Sequence, residues 1–385
     1  MNRTSSKNPS IKRRITYLVL LILFLFIGTE SLLSILYYQN YGGSPLAIIG
    51  LFRKLKDRSL EQTSTEKNYW AHQLARPDAS DIVNRRIADE VMSSNGFQYQ
   101  PWIGYSAMNF SGQYIHINGL IRNSSPDFCK GTNSDTLRIY FFGGSTLFGF
   151  NVADHETIPS QFVKLLRESG VQSTIQVFNY GIPTYYSYHE LMLLTQLYFN
   201  GHRPDFLIFL DGLNDLIGVR ASARRVSFID YKFKETFKTD LQWGNPAYRD
   251  SFKYIISPNA DTDLEKLSDT LYHQYLSTRS AIEKIALAYE SQSFFFIQPV
   301  PYYKYPAQKK DPLCDKERKL QFEYTYPKLE EEEKRSNNLF FLGNMLEHES
   351  GTPFIDGYHY SPSFSKKIAA QIFAHVKPYL EKTPQ

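Results

Sequence analysis

The feature that most constrains the fold is the alternation, from Thr136 to the C-terminal region, of short apolar runs with stretches of helical length. Such alternation is typical of parallel sheets, because consecutive parallel strands need a long crossover connection between them. We therefore predict an α/β fold of three layers, α/β/α, around a five-stranded and mainly parallel sheet. The predicted strands are residues 137–142, 175–179, 206–210, 294–298 and 339–342.

Helical stretches lie between and after these strands, at residues 158–167, 188–199, 264–289 and 364–380. The sequence Ser361-Pro362-Ser363 is a start signal for the last helix, and Ser187 with Glu190 forms a candidate capping box for the second. Two segments, residues 219–260 and 302–334, fit no element of the predicted sheet. We interpret them as insertions near the rim of the functional site, since long connections often carry function.

The N-terminal region contains an apolar segment, residues 15–38, that follows four basic residues between Lys7 and Arg14. A bilayer core needs about 20 helical residues, so the segment is predicted to be a transmembrane helix. The basic tail, residues 1–14, is predicted to stay cytoplasmic and the rest of the chain to be extracytoplasmic, periplasmic or extracellular. A cleaved signal peptide is the alternative, although no small-residue cleavage site follows Gly28 cleanly.

Three further segments complete the predicted organisation. Residues 39–96 form a polar stalk or linker, residues 97–135 an aromatic lead-in packed on the main domain, and residues 136–385 the main domain itself. The net charge of +4 is small and dispersed over 385 residues, which argues against a nucleic-acid partner. Cys129 and Cys314 either form one disulfide or remain free thiols. No metal or organic cofactor is predicted.

Polar and glycine-rich sequences follow the predicted strands at the places where a ligand would bind. In open α/β sheets, ligands bind outside the carboxyl ends of the strands. The sequences found there are Gly143-Gly144-Ser145, Asn179-Tyr180-Gly181, Asp211-Gly212-Leu213-Asn214-Asp215 and Asp356-Gly357-Tyr358-His359. Each motif alone is weak, because loops also collect such residues for turn formation, but the four together predict a catalytic site.

In this order, the motifs resemble those of the SGNH hydrolase superfamily, also called GDSL-type esterases and lipases, over residues 136–380. Its serine, glycine and Gly-x-Asn-Asp blocks match at Ser145, at Gly181 and from Gly212 to Asp215. Its Asp-x-x-His block matches at Asp356 and His359. The sequence departs from the family at Gly144, where the family motif has aspartate. The resemblance implies a flavodoxin-like sheet and a serine esterase.

The chemistry of these residue types agrees with what the resemblance implies. Ser145 would be the nucleophile, His359 the base that accepts its proton, and Asp356 the acid that orients the imidazole. The oxyanion hole would be formed by the N–H groups of Ser145 and Gly181 and the side chain of Asn214, with each donor contributing about 2.7 to 4 kcal/mol. Five other histidines lack a comparable acid partner: His155, His189, His202, His273 and His348.

Three functions fit this sequence. The first is hydrolysis of an ester, an O-acetyl or acyl ester of an envelope glycan or lipid, through an acyl-enzyme on Ser145. The second is an O-acyltransferase that uses the same triad on an extracytoplasmic polysaccharide. The third is a catalytically silent glycan-binding or scaffold protein, which is disfavoured because a fold alone does not require these residues.

Overall fold

The computed structural model describes residues 11–41, 81–94, 96–124, 136–170, 175–217, 264–306 and 316–381. The chain divides into two compact units, which we describe separately. In the first, residues 1–67 and 226–257, the described element is helix α1, Ile11–Tyr41. The predicted insertion at 219–260, Cys129, Cys314 and most of the predicted stalk lie outside the described residues.

Helix α1 covers the segment that was predicted to span a membrane. Within the described part of the chain, no helix combines the length and the apolar character that a membrane crossing requires. The prediction of a transmembrane helix over residues 15–38 is corrected accordingly.

The second unit begins with elements from the predicted stalk and lead-in. Helix α2 is Asp81–Ser94, and the five strands after it are β1 Phe97–Gln100, β2 Gly104–Ala107, β3 Phe110–Ser111, β4 His116–Asn118 and β5 Ile121–Arg122. In α2, Glu90 accepts hydrogen bonds from the backbone N–H groups of Gln113, Tyr114 and Ile115. Helix α2 is thus attached to the folded unit through the turn before β4.

The remaining strands form the predicted parallel core. They are β6 Leu137–Gly143, β7 Ile175–Asn179, β8 Phe206–Asp211, β9 Gln292–Ile297 and β10 Leu339–Phe341. The pairings among these five strands are all parallel, in the order β10-β9-β8-β6-β7. The chain order therefore reverses beside β6, which creates the switch point where ligands bind in doubly wound sheets.

The sheet has eight strands rather than the five predicted. Strand β5 pairs antiparallel with β7 through Arg122 and Asn179, and β4 and β3 follow it. The three added strands contain only two or three residues each. Such short strands show no alternation of apolar and polar residues, so the sequence pattern could not reveal them.

Helices complete the unit on both faces of the sheet. They are α3 Ser145–Phe148, α4 Ile158–Glu168, α5 Ser187–Phe199, α6 Leu213–Ile217, α7 Leu264–Ala288, α8 Lys316–Glu333 and α9 Pro362–Leu380, with 3-10 helices at Asp154–Glu156 and Gly343–Leu346. Helix α9 begins as predicted, because Ser361 accepts a hydrogen bond from the N–H of Phe364. The predicted capping box at Ser187 does not form, since the N-cap of α5 is Tyr186.

Alternate residues of the central strands build two separate cores. One face buries Phe141, Ile208 and Phe294 against α4 and α9. On the other face, the rings of Tyr180, Phe142, Phe209 and Phe295 stack in a row across β6, β8 and β9, with centroid separations of 5.5, 4.9 and 4.9 Å. This row ties the strands together at neighbouring positions, because cross-strand pairs stabilise sheets.

Helix α8 corrects the interpretation of residues 302–334 as an insertion. It connects β9 to the parallel strand β10, as a crossover helix does. Its sequence is rich in Glu and Lys, but it buries Phe322, Tyr326 and Leu329. This narrow apolar stripe is difficult to recognise among so many charges.

Candidate active site

Two glycines position Ser145 at the carboxyl end of β6. A Cβ atom on Gly143 would lie 2.7 Å from the Cβ of Leu147, and one on Gly144 would lie 2.2 Å from Nδ2 of Asn214. A side chain at position 143 would therefore clash with α3, and one at position 144 would have to displace the amide of Asn214. Ser145 is the first residue of α3, so its N–H is not used by the helix.

Ser145, His359 and Asp356 form one continuous chain of hydrogen bonds. The Oγ of Ser145 lies 2.8 Å from Nε2 of His359, and Nδ1 of His359 lies 2.6 Å from Oδ2 of Asp356. A carboxylate can only accept, so Nδ1 carries the hydrogen and Nε2 accepts from the serine hydroxyl. Residues 214 positions apart in the chain are thus placed for proton transfer.

Asp356 is buried but remains ionised because donors surround it. Burial by itself would raise the pKa of this carboxyl group; the charge of His359 and hydrogen bonds from the imidazole and from the N–H groups of Tyr358 and His359 outweigh it, and the pKa is lowered. Nδ2 of Asn151 lies 2.6 Å from Oδ2 of the same carboxylate. An ionised Asp356 stabilises the imidazolium that forms when His359 takes a proton.

Asn151 was not identified from the sequence. Its backbone is in the left-handed region, with φ of 69°, and its side chain is buried. Asparagine is one of the few residues other than glycine that favours this conformation, so the sequence could have indicated a turn. It could not have indicated the contact with Asp356, which is 205 positions away.

Gln298 connects the turn that carries Ser145 to the loop that carries His359. Its Oε1 accepts hydrogen bonds from Thr146, at 2.6 Å, and from the hydroxyl of Tyr360, at 3.3 Å. These residues directly follow Ser145 and His359. Gln298, which directly follows β9, therefore ties the nucleophile turn to the histidine loop from a third strand end.

The three predicted oxyanion donors lie around α3, but they differ in availability. The N–H of Gly181 already donates to Oδ1 of Asn179 at 2.9 Å. The Nδ2 of Asn214 donates to the carbonyl of Tyr185 at 2.7 Å, which leaves its second hydrogen for an oxyanion. Donation from Gly181 would require that its hydrogen bond to Asn179 be shared or released.

Asp215 lies beside Asn214 and braces the turn that carries it. Its Oδ1 accepts from the N–H and the hydroxyl of Ser187, at 3.2 and 2.6 Å. Its Oδ2 accepts from the N–H of Gly212 at 3.4 Å. These contacts join the start of α5 to the start of α6, as expected for a residue that supports Asn214 without reacting.

A second group of buried carboxyl groups lies near Asp215 and was not identified from the sequence. Glu190 of α5 is 0% exposed and Asp211 at the end of β8 is 3% exposed. Burial, and then the proximity of other carboxylates, raises the pKa of both well above the usual range. The two carboxyl groups interact directly, so they can lie side by side when one proton is shared between them.

The other histidines lie apart from this hydrogen-bonded chain. His202 pairs with the hydroxyl of Tyr140 at 2.9 Å, and His189 stacks on Tyr185. A second histidine–aspartate pair joins His116 to Asp154 at 2.8 Å, with Arg122 on the other oxygen of that aspartate. No hydroxyl group among the described residues hydrogen-bonds to the imidazole of His116.

Comparison with known proteins finds similarity only among solved structures. No protein-family model and no curated protein matches the chain. A member of the lipolytic protein G-D-S-L family from Veillonella parvula is 10% identical, with 64% of this chain and 100% of that chain covered and a TM-score of 0.37. The esterase EstA from Pseudoalteromonas sp. is 14% identical, with 64% and 99% covered and a TM-score of 0.37.

A variant of Axe2, an acetyl xylan esterase from Geobacillus stearothermophilus, is 15% identical, with 62% of this chain and 94% of that chain covered and a TM-score of 0.37. Similarity at this level carries no conclusion about the reaction of this chain. Membership of the SGNH superfamily thus stays a prediction from the sequence motifs.

Proposed function

We propose that this protein is a serine ester hydrolase that forms an acyl-enzyme on Ser145. The observation that carries the proposal is the continuous chain from Ser145 through His359 to Asp356, with contacts of 2.8 and 2.6 Å. A serine hydroxyl is a weak nucleophile unless a base accepts its proton during attack. Here the base is in contact with the hydroxyl and is itself oriented by an ionised acid.

Each step of the reaction uses a group in this arrangement. The Oγ of Ser145 attacks the ester carbonyl carbon while its proton moves to Nε2 of His359. The carbonyl oxygen becomes an oxyanion that the N–H of Ser145 and the amide of Asn214 stabilise. The imidazolium then gives its proton to the departing alkoxide, which leaves an acyl-serine and a free alcohol.

Hydrolysis of the acyl-enzyme repeats these steps with water as the nucleophile. His359 takes a proton from water, the hydroxide attacks the acyl carbon, and the proton returns to Oγ of Ser145 as the acid leaves. Asp356 stays ionised throughout, because its role is to hold the Nδ1 hydrogen and balance the positive imidazolium. No step requires a group from outside the protein except water and the ester.

The test is labelling and hydrolysis with Ser145→Ala. We expect wild-type protein to react with a fluorophosphonate probe and to hydrolyse p-nitrophenyl acetate, and Ser145→Ala to do neither. Ser93→Ala removes an exposed hydroxyl from α2 and serves as the control. Wild-type protein that is folded but inert to both reagents would favour the catalytically silent alternative, and hydrolysis that survives in Ser145→Ala would exclude this nucleophile.

An O-acyltransferase is the second candidate. It shares the acyl-enzyme and differs only in the group that attacks it, a sugar hydroxyl instead of water. The observation that favours it is a cleft of about 610 Å³ that includes Asp215 in its lining and could hold an acceptor. Incubation with p-nitrophenyl acetate and an oligosaccharide separates the two, since transfer yields acetylated sugar and hydrolysis yields free acetate. The extracytoplasmic location stays a prediction.

A further inference from the structure

A cleft of about 610 Å³ lies between the first turn of α5 and one side of α7. This volume is within the range of about 300 to 1,000 Å³ that is usual for sites of drug-sized ligands, and a di- or trisaccharide is of that size. Its lining consists of Tyr186, Ser187, Tyr188 and Asp215 on one side and of α7 residues between Thr270 and Thr278 on the other. None of them belongs to the catalytic chain described above.

The cleft begins next to the nucleophile turn. Asp215 in its wall directly follows Asn214, and Tyr186 directly follows Tyr185, whose carbonyl accepts from Asn214 at 2.7 Å. That carbonyl and the Asn214 amide are the groups that a Cβ atom on Gly144 would meet, at 3.1 and 2.2 Å. Two residues of the cleft lining are therefore adjacent in the sequence to groups that flank Ser145.

The chemistry of the lining is unusual for a hydrocarbon ligand. Among the described lining residues, Leu271 is the one with a purely hydrocarbon side chain, and it is only 2% exposed. The wall from α7 instead presents hydroxyl, amide and imidazole groups, many of them exposed: Thr270, His273, Gln274, Ser277 and Thr278. The exposed surface of the cleft is nonetheless mostly apolar, so it suits a ligand that has both apolar and polar surfaces.

Two tyrosines supply the apolar surface on the opposite side. Tyr186 and Tyr188 lie nearly parallel, with an interplanar angle of 23° and centroids 6.4 Å apart. Tyr188 is 52% exposed, which is high for a ring of this size. Tyrosine combines a flat apolar face with a hydroxyl group, so it suits ligands that are themselves amphipathic.

We propose that this cleft binds the carbohydrate part of an ester substrate, with a sugar ring packed on Tyr188 and its hydroxyls bonded to the polar side of α7. A sugar ring has apolar C–H faces and a polar edge, and the two sides of the cleft match these surfaces. The inference rests on the proposed function for its link to Ser145, and it selects a glycan ester over a lipid ester as the substrate class.

Binding is measured on Ser145→Ala protein, so that no hydrolysis occurs during the titration. The ligands are a panel of partially O-acetylated oligosaccharides derived from glucan, xylan and chitin, titrated by calorimetry. We expect at least one to bind and Tyr188→Ala to weaken that binding about fivefold to tenfold, as expected for a lost ring contact. Tyr188→Phe, which keeps the ring, should bind within about twofold of the parent by the same reasoning.

Phe199→Ala is the matched control, because Phe199 is an exposed aromatic residue at the other end of the same helix, 89% exposed and outside the cleft lining. It should leave binding unchanged. If no member of the panel binds at millimolar concentration, or if Phe199→Ala weakens binding as much as Tyr188→Ala does, the inference is overturned.

Kinetics separates this inference from the proposed function. With an intact Ser145, Tyr188→Ala should lower kcat/KM for the bound acetylated oligosaccharide about fivefold to tenfold and leave p-nitrophenyl acetate unaffected. A loss on p-nitrophenyl palmitate instead would assign the cleft to an acyl chain and overturn the carbohydrate assignment. Sugar binding by a protein that hydrolyses no ester would defeat the proposed reaction while leaving the cleft assignment in place.

Discussion

Two buried carboxyl sites have opposite charge states. One is Asp356, and the other is the pair Glu190 and Asp211. Asp356 accepts from the imidazole of His359, the amide of Asn151 and two backbone N–H groups, and its pKa is lowered. Apart from the proton that Glu190 and Asp211 share, no donor among the described residues hydrogen-bonds to their carboxyl oxygens, and the pKa of each is raised. Burial is almost complete at both sites.

The difference shows that donors, rather than depth, determine whether a buried acid is charged. In the proposed mechanism the charge of Asp356 stabilises the imidazolium, whereas Glu190 and Asp211 can remain side by side only by sharing a proton. Their effects on stability also have opposite signs. Asp356 contributes stability that is lost as pH falls through its folded pKa, and Glu190 contributes stability that is lost as pH rises above its unfolded pKa.

The largest expected effect comes from Asp356→Asn. The amide keeps the size of the side chain, but it can donate to Nδ1 of His359, which favours the wrong tautomer. We expect kcat/KM for p-nitrophenyl acetate to fall about 10³- to 10⁴-fold with little change in melting temperature. A fall of less than tenfold in folded protein would show that the charge of this carboxylate does not assist the reaction.

A smaller effect is expected from Asn151→Gly. Glycine accepts the φ of 69° without strain, so the substitution removes mainly the 2.6 Å hydrogen bond to Asp356. Loss of one donor to a charged group costs about 1.5 to 3 kcal/mol, and we expect about a tenfold or greater loss in kcat/KM.

The pKa of Asp356 should also rise in this variant, which moves the acidic limb of the pH–rate profile to higher pH. Gly119→Ala, at another residue of positive φ, controls for general changes in loop conformation. An unchanged acidic limb would indicate that Asn151 does not influence the charge of Asp356.

The smallest effect on activity is expected from Glu190→Gln. The amide still donates to Asp211 but cannot ionise, so kcat/KM should stay within about threefold, as expected where the replaced group keeps its hydrogen bond. The free energy of unfolding of the wild-type protein should fall by up to about 1.4 kcal/mol per pH unit between the unfolded pKa of Glu190 and its raised folded pKa.

Chemical denaturation at a series of pH values measures this slope, and it should be shallower in Glu190→Gln. If Glu190→Gln is more stable than the wild-type protein at alkaline pH, Glu190 differs from Asp356 as described. Equal slopes in both proteins would mean that Glu190 is already ionised, and the two carboxyl sites would then not differ as described.

The parallel core and the reactive residues were accessible from the sequence for a common reason. Strands such as β8 are buried on both faces and therefore appear as uninterrupted apolar runs. Because ligands bind at the carboxyl ends of such strands, the position of Ser145, Asn214 and His359, together with the family resemblance of their motifs, selected them as candidates. Their predicted catalytic roles stay predictions until the variants are measured.

Other features could not be predicted because they depend on contacts between distant parts of the chain. Asn151 contacts Asp356 across 205 positions, and Glu190 resembles a capping residue until the fold places it beside Asp211. Helix α8 hides its buried stripe among acidic residues, and strands β3 to β5 are too short to show a period.

The sequence by itself determined the α/β class and the five parallel strands, because these depend on local periodicity, and the family resemblance of its motifs selected the serine, histidine and aspartate. Only the tertiary structure decided which acids are charged, which donors are free and where the tyrosine-lined cleft opens. Those properties depend on distances between segments remote in the chain, and electrostatic and hydrogen-bond energies change sharply over a few ångströms.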